Sequence, residues 1–376
     1  MVVGVVGGGQ LARMMIQEAI PLEIEIRLLV TSPDDPAALV GPRFAVGSAQ
    51  SADDLRRFAE SVDVVTFDHE VVHLSALDAL ERDGHLLRPG AGTFGTVSDK
   101  VRMRAALGDA GIPTPPAQVV TSAEEVAALV ANGGGHVLKL AHGGYDGRGT
   151  FFVDTPDQSS RLLGEVRPGT VVLVEPRLDL LAELAVIVVR SPDGSHVVYD
   201  PVSTIQIDGQ CRRVDAPATQ SDDVVDLARG LARRAAEAVD AVGVLAVEMF
   251  LTAEGLVVNE LAARPHNTGH HTLDAAVTSQ FANHLRAVTG LPLGSPDLHS
   301  RAVTANLIGV DGSRDPAALL GDGLAVDPAA HIHLYGKAVR HDRKLGHVTV
   351  CDDDHDRAVD RAARVVEALG GQEVPR

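Results

Sequence analysis

The chain reads as an α/β protein of three units: a parallel-sheet unit at the N-terminus, a larger mixed unit in the middle and a small C-terminal unit. Three observations predict this. Strand-length apolar runs alternate with amphipathic helical stretches up to about residue 98. From Gln118 onward strand patterns dominate, among them VLKLA, GTFFV, TVVLVEP and ELAVIVVRS. After Gly294 come short strands, HIHLYGK and LGHVTV, and a closing helix. A chain of 376 residues can hold two or three cores, and we place the divisions at 1–98, 99–295 and 296–376.

In order, VVGVV is an apolar strand ending in a glycine turn, and QLARMMIQEA behind it is an amphipathic helix. IEIRLLVT is a second strand, and a helix over Ser51–Glu60 leads to a third in VDVVTFDHEV. RPGAGTFGTVSD reads as a loop, Lys100–Ala110 as a helix, and GIPTPP breaks the chain behind it. The central unit adds helices over Ala123–Ala131, Ser221–Val242 and Thr278–Thr289, the last closed by Gly290. The final helix covers Asp356–Leu369.

A hydrophobic share of 45% with 22% charged residues is that of a soluble globular protein. The net charge of −18 removes nucleic acid and anionic membranes as partners but leaves small anions that bind in local basic pockets. Aromatics at 3%, with no Trp, argue against a stacking platform for single strands. Cys211 and Cys351 lie far apart without metal or redox spacing, and read as reduced thiols. Strand residues begin at Val2 and no apolar run is long enough for a bilayer, so the expectation is a cytoplasmic protein.

The chemistry is densest in VLAVEMFLTAEGLVVNELAARPHNTGHHT, residues 244–272. Val244–Leu251 and Leu256–Ala262 read as a β-hairpin with a three-residue loop, Gly255 taking the left-handed position and Leu256 facing Thr252. That register sets Glu248 opposite Glu260 on one face. Two carboxylates at about 5 Å repel unless a cation lies between them, and magnesium, or manganese in its place, suits oxygen ligands shared with phosphates. Arg264, His266 and Asn267 follow at once and suit a small oxyanion. A zinc reading of HNTGHH lacks helical spacing and cysteines.

Gly7-Gly8-Gly9-Gln10-Leu11-Ala12 fits the dinucleotide fingerprint, yet no acidic residue ends the second strand, so the loop need only offer helix-terminal amides to an anion. In GGYDGRG at 143–149, a glycine-rich tip either covers phosphates or is a surface turn. Lys139, buried by pattern in VLKLA, needs a counter-charge that phosphate would supply. Glu175 and Glu183 stand at strand ends, where pattern leaves nucleotide contact and simple exposure both open. Lys337, Arg340, Arg343 and Lys344 make a basic cluster in an acidic chain, which suits a substrate phosphate.

These pieces in this order resemble the ATP-grasp ligases, and among them the N5-carboxyaminoimidazole ribonucleotide synthase family. The resemblance rests on GGGQLARM, GGYDGRG, AVEMF, NELAARPHNTGHHT, TSQFANHLRAVTGLPLG, NLIG and HLYGKAVRHDRKLGHV, and so spans nearly the whole chain. It implies an ATP-grasp fold with a Rossmann-like N-terminal domain and a small C-terminal domain. It also implies an enzyme in which ATP phosphorylates bicarbonate to carboxyphosphate, and the amine of 5-aminoimidazole ribonucleotide captures the carboxyl group. By motif, Lys100, Lys139 and Asn259 meet ATP, the flap of Gly144, Tyr145, Asp146, Gly147, Arg148 and Gly149 closes over it, Glu175 meets adenine and Glu183 ribose. Glu248 and Glu260 carry magnesium, and Arg264, His266 and Asn267 hold bicarbonate, with Tyr145 and Asp146 beside the aminoimidazole. Lys337, Arg343 and Lys344 bind the ribonucleotide phosphate, and Gly8, Gly9 and Gln10 close the site. The resemblance further implies a homodimer. The chain departs from the family pattern at Val71, Ala263 and the Glu175–Leu181 linker. Readings kept beside it are a biotin carboxylase or formate-dependent glycinamide ribonucleotide transformylase, a silent nucleotide-binding regulator and an NAD-dependent oxidoreductase.

Overall fold

The first unit grows from β1 (Val2–Val6), whose Val3, Val5 and Val6 are fully buried, and α1 (Gln10–Ala19), which begins behind Gly9. The computed structural model describes residues 1–131, 133, 135–142, 149–158 and 170–376. Next come β2 (Glu25–Val30), β3 (Arg43–Val46), α2 (Ala52–Ala59) capped by Ser51, β4 (Val64–Phe67) and α3 (Leu74–Arg82). The four strands form a parallel sheet in the order β3-β2-β1-β4. β3 escapes hydrophobic patterning because all four of its residues are exposed at the sheet edge.

One element corrects the sequence reading. RPGAGTFGTVSD is not a loop throughout, since Ala91–Val97 within it is a helix, α4. Its glycines and β-branched residues disfavour helix, but tertiary contacts override them. The Glu81 carboxylate accepts from Ala91 N at 3.0 Å and so caps the helix. Phe94 packs on Phe67 with ring centroids 4.3 Å apart, and the Thr93 hydroxyl donates to the Val239 carbonyl at 2.9 Å.

After α5 (Lys100–Asp109), whose N-terminus is capped by the Asp99 carboxylate, a small antiparallel sheet forms. It contains β5 (Gln118–Val120), β6 (His136–Leu140), β7 (Thr150–Val153) and β8 (Val172–Pro176) in the order β5-β8-β6-β7, with α6 (Ala123–Val130) between β5 and β6 in sequence. A large antiparallel sheet then begins with β9 (Ala182–Arg190), β10 (His196–Val198), β11 (Val202–Ile207) and β12 (Gln210–Ala216). It continues past α7 (Asp222–Ala238) with β13 (Gly243–Thr252) and β14 (Gly255–Ala262), then the short α8 (Thr272–Ala275) and α9 (Gln280–Thr289). The last stretch supplies β15 (Ala302–Ile308), α10 (Leu320–Val326), β16 (His331–Leu334), β17 (Lys344–Cys351) and α11 (His355–Ala368). The strand order is β14-β13-β9-β11-β12-β15-β17-β16, so strands on both sides of residue 295 share one sheet.

Leu184–Val189 of β9 are each at most 3% exposed. Covered on both faces, they read as one continuous apolar run rather than an alternating one, and each buried aliphatic side chain contributes roughly 1.5–3 kcal/mol. Core residues are shared between units: Phe281, Leu285 and Val288 of α9 pack with Val3, Leu11, Met15 and Leu28 of the first.

The carboxylate hairpin also differs from expectation at its turn. Thr252 pairs with Gly255 and Leu251 with Leu256, one residue away from the predicted register. A β-bulge then slips the pairing back, so that Glu248 still faces Glu260. The extra residue of the bulge is Asn259, which brings consecutive Asn259 and Glu260 to the same cleft.

Candidate active site

A cleft of 1150 Å³ opens between the three units. Its wall is built by the β1–α1 turn, the start of α5, β6, β8, the β13–β14 hairpin, the 264–270 segment and the β16–β17 connection.

Lys139 on β6 does meet a counter-charge, but the protein supplies it. The Glu175 carboxylate lies 2.7 Å from Lys139 Nζ and 2.6 Å from an Arg104 guanidinium nitrogen, and all three groups are buried or nearly so. Lys139 also donates to Asn259 Oδ1 at 2.7 Å. Burial pulls the Lys139 amine below its usual pKa, opposed by Glu175. The Glu175 side chain is therefore held by two cations rather than extended toward a ligand. Arg104 was not predicted, although it lies one helical turn beyond Lys100, on the same face of α5. Glu183 lines the cleft, and burial raises its carboxyl pKa.

At the next step along the wall, Lys100 at the first position of α5 makes an ion pair with Glu260. Glu248 faces Glu260 across the strands and lies 3.6 Å from His266 Nε2. Its pKa is raised to about 7, by loss of water contact first and then by the Glu260 and Glu183 charges. Two carboxylates on one face, one paired to a lysine and one resisting ionisation, could hold a divalent cation that would relieve both strains.

Arg264 Nε stands 3.4 Å from Glu70 Oε1 without hydrogen-bond geometry. Burial pushes the Glu70 carboxyl up, against the pull of Arg264. Asn267 lines the cleft with both polar side-chain atoms unpartnered, as a group built to meet a ligand would have. The loop that carries these residues is clamped by fully buried Gln280, whose amide accepts from His266 N at 2.9 Å and donates to His266 O at 2.7 Å. Sequence reading passed over Gln280, although it belongs to the TSQF run. Gly269 packs so closely that a Cβ there would lie 2.7 Å from the Gln280 amide.

The first unit closes the cleft with Gly8, Gly9 and Gln10. The Gly9 amide donates to the Asp68 carboxylate, and a Cβ on Gly7 (φ +116°) would lie 1.7 Å from Asp68 Oδ1. An internal carboxylate thus occupies the helix terminus where a dinucleotide phosphate would sit, which removes the NAD reading. Gln10 accepts from Lys337 at 2.6 Å, joining the first unit to the last. Lys337, Arg343 and Lys344 line the cleft, whereas Arg340 is exposed and does not. Of the predicted flap, Gly149 has a left-handed φ of 80°, while Gly144, Tyr145, Asp146, Gly147 and Arg148 lie outside the described residues.

Comparison with known proteins agrees in three places along the chain. Residues 1–95 match the ribonucleotide synthetase preATP-grasp domain, 105–281 the ATP-grasp domain and 302–361 the phosphoribosylaminoimidazole carboxylase C-terminal domain. The N5-carboxyaminoimidazole ribonucleotide synthase of Mycobacterium tuberculosis strain H37Rv is 43% identical over 96% of this chain and 86% of that protein. The Thermus thermophilus N5-carboxyaminoimidazole ribonucleotide synthetase superposes with a TM-score of 0.86 at 35% identity, covering 100% of this chain and 99% of that one. The Aspergillus clavatus synthase in complex with ADP and 5-aminoimidazole ribonucleotide superposes with a TM-score of 0.90 at 31% identity, over 98% of both chains.

Proposed function

Because the chain belongs to the N5-carboxyaminoimidazole ribonucleotide synthases, which are ATP-grasp ligases, we propose a division of labour along its cleft. The reaction is the ATP-dependent carboxylation of 5-aminoimidazole ribonucleotide to N5-carboxyaminoimidazole ribonucleotide, in purine biosynthesis. One observation carries the division. A lysine-and-carboxylate wall, an Arg-His-Asn loop and a basic loop follow one another in a single cavity.

Lys100, Lys139 and Asn259 hold the ATP phosphates, and Glu183 the ribose. The adenine edge falls to the chain at Pro176–Leu178, which lines the cleft beside Glu175. The Glu248–Glu260 pair fits magnesium, or manganese, which when bound neutralises phosphate charge. Arg264, His266 and Asn267 orient bicarbonate, and its oxygen takes the γ-phosphoryl group as ADP leaves. The exocyclic amine then attacks the carboxyl carbon, phosphate departs and the amine gives up a proton. Arg264 offsets the negative charge that develops on the carboxyl oxygens. The flap residues Tyr145 to Gly149 belong to this proposal as the cover that keeps water from the carboxyphosphate. So do the three-domain division at 98 and 295, a cytoplasmic setting and a homodimer. Among the described residues no helix is long and apolar enough to cross a membrane.

The test is ADP release with magnesium and labelled bicarbonate, with and without 5-aminoimidazole ribonucleotide. Strong stimulation and an acid-labile labelled product are expected. Turnover indifferent to the ribonucleotide would overturn the substrate.

Two further outcomes follow from this assignment. Lys344→Ala should raise the KM for the ribonucleotide roughly tenfold or more while the KM for ATP moves little, since the lost group contacts phosphate in both ground and transition states. Equal changes in both would move the phosphate pocket elsewhere. Glu248, raised to about 7, must lose its proton before it can bind a cation. Magnesium affinity should therefore fall by up to about tenfold for each pH unit below about 7, with proton release on binding. In the metal-free protein the sign reverses: a raised carboxyl pKa favours the folded state at low pH, and that contribution is lost as pH climbs from the ordinary carboxylate range to about 7. Isothermal titration at several pH values checks the first statement, and a flat affinity would contradict it.

A further inference from the structure

Beneath the basic loop, apart from the cleft carboxylates, four side chains from three segments converge. Asp274 lies on α8, His331 and His333 occupy alternate positions of β16, and His347 on β17 is directly opposite His333. Asp274, His333 and His347 each bring one donor atom within 4.8 Å of the others. The Asp274 oxygens lie 2.9 and 3.1 Å from His333 Nε2, and one of them 3.4 Å from His331 Nδ1. His347 is fully buried. Its Nδ1 is held by the Tyr335 hydroxyl at 2.8 Å, and its Nε2 has no hydrogen-bond partner.

An ordinary part-buried Asp–His pair accounts for His333. It leaves unexplained a ring nitrogen kept out of water with nothing to bond. It also leaves unexplained a second histidine on the same strand face that reaches the same carboxylate.

We propose that Asp274, His331, His333 and His347 form a site for a divalent transition ion of the zinc class. Three imidazoles and one carboxylate make a four-coordinate set that zinc favours, unlike the oxygen-only Glu248–Glu260 pair. Burial keeps His347 neutral, the state a ligand needs, by pushing its pKa well below the usual value. Tyr335 fixes that ring from behind, as outer partners of metal-bound histidines do. His270 stacks on it with centroids 4.8 Å apart. The His333 and His347 rings are nearly parallel, 4.5 Å apart. Loading therefore turns His333 out of its hydrogen bond with Asp274, and the ion takes the place of the shared proton. Because β16 and β17 are the stems of the Lys337–Lys344 loop, and Asp274 closely follows Asn267, such an ion ties the basic loop to the Arg-His-Asn loop.

The full-length protein, stripped with chelator and kept in excess magnesium, is titrated with Co²⁺, and with Zn²⁺ against a chromophoric chelator. Wild type should bind one equivalent with a dissociation constant on the order of micromolar or below, giving the visible bands of four-coordinate cobalt. Asp274→Asn, close in shape, and His331→Ala, at an exposed position, should each weaken binding at least ~10-fold. Zinc should raise the melting temperature of wild type but not of Asp274→Asn. Failure of wild type to bind, or equal uptake and identical spectra in all three proteins, would overturn the site. None of these readouts depends on the carboxylation reaction.

Discussion

Glu260→Gln is expected to lower turnover by roughly 10²- to 10³-fold, the few kcal/mol that one preorganised charge contributes to a phosphoryl-transfer transition state. The substitution keeps the volume, removes the negative charge and replaces one carboxylate oxygen with an amide NH2. Two local consequences make the outcome readable. Lys100 loses its ion-pair partner, which is part-exposed and so worth well under 1 kcal/mol. Glu248 loses the second-largest cause of its raised pKa and ionises more easily. The fold should therefore melt within a few degrees of wild type, as a change of up to about 1 kcal/mol in a chain of this length allows. Magnesium should cease to raise the melting point. Steady-state ADP release across a magnesium titration, beside thermal melts, checks both statements. Wild-type turnover would sink the cation assignment of the hairpin.

Gln280→Met should cost both stability and rate. Methionine fills nearly the same space but offers neither the acceptor for His266 N–H nor the donor for His266 C=O. Each of the two part-buried groups left unpaired costs up to about 1–3 kcal/mol, so denaturant unfolding should show a loss of about 2–6 kcal/mol. The KM for bicarbonate should rise and kcat should fall, because the loop carrying Arg264, His266 and Asn267 is no longer held. Gln280→Glu separates positioning from bulk stability. Its carboxylate keeps the acceptor and lacks the donor, which returns when the group is protonated. Its activity relative to wild type should thus recover as pH falls. A relative profile parallel to that of wild type would reduce Gln280 to a packing residue.

The hairpin shows how much could be read in advance. Two glutamates in apolar runs indicate a facing pair only in one register, since a one-residue slip sends one of them to the other face. The turn itself was displaced by one residue, and a bulge at Asn259 undid the displacement. Nothing in VVNELAA marks a bulge, which shows only in the pairing of β14 with β13. α4 makes the same point in reverse. Its composition speaks for a loop, and contacts from outside the segment, with Phe67, Glu81 and Val239, accompany the helix.

By itself the sequence determined the residue types of the site, their order along the chain and the family that order belongs to. It marked a pair of carboxylates within apolar runs and a cluster of basic residues in an acidic chain, and charges within apolar runs demand partners. The tertiary structure alone decided who those partners are. Lys139 shares the Glu175 carboxylate with Arg104 as its counter-charge within the protein. The glycine loop is closed by Asp68, and the Arg-His-Asn loop hangs on Gln280. Periodicity reports which face of an element is buried. Which distant group shares that burial is settled only when the elements pack, because ion pairs and hydrogen bonds act over about 3 Å, whatever the separation along the chain.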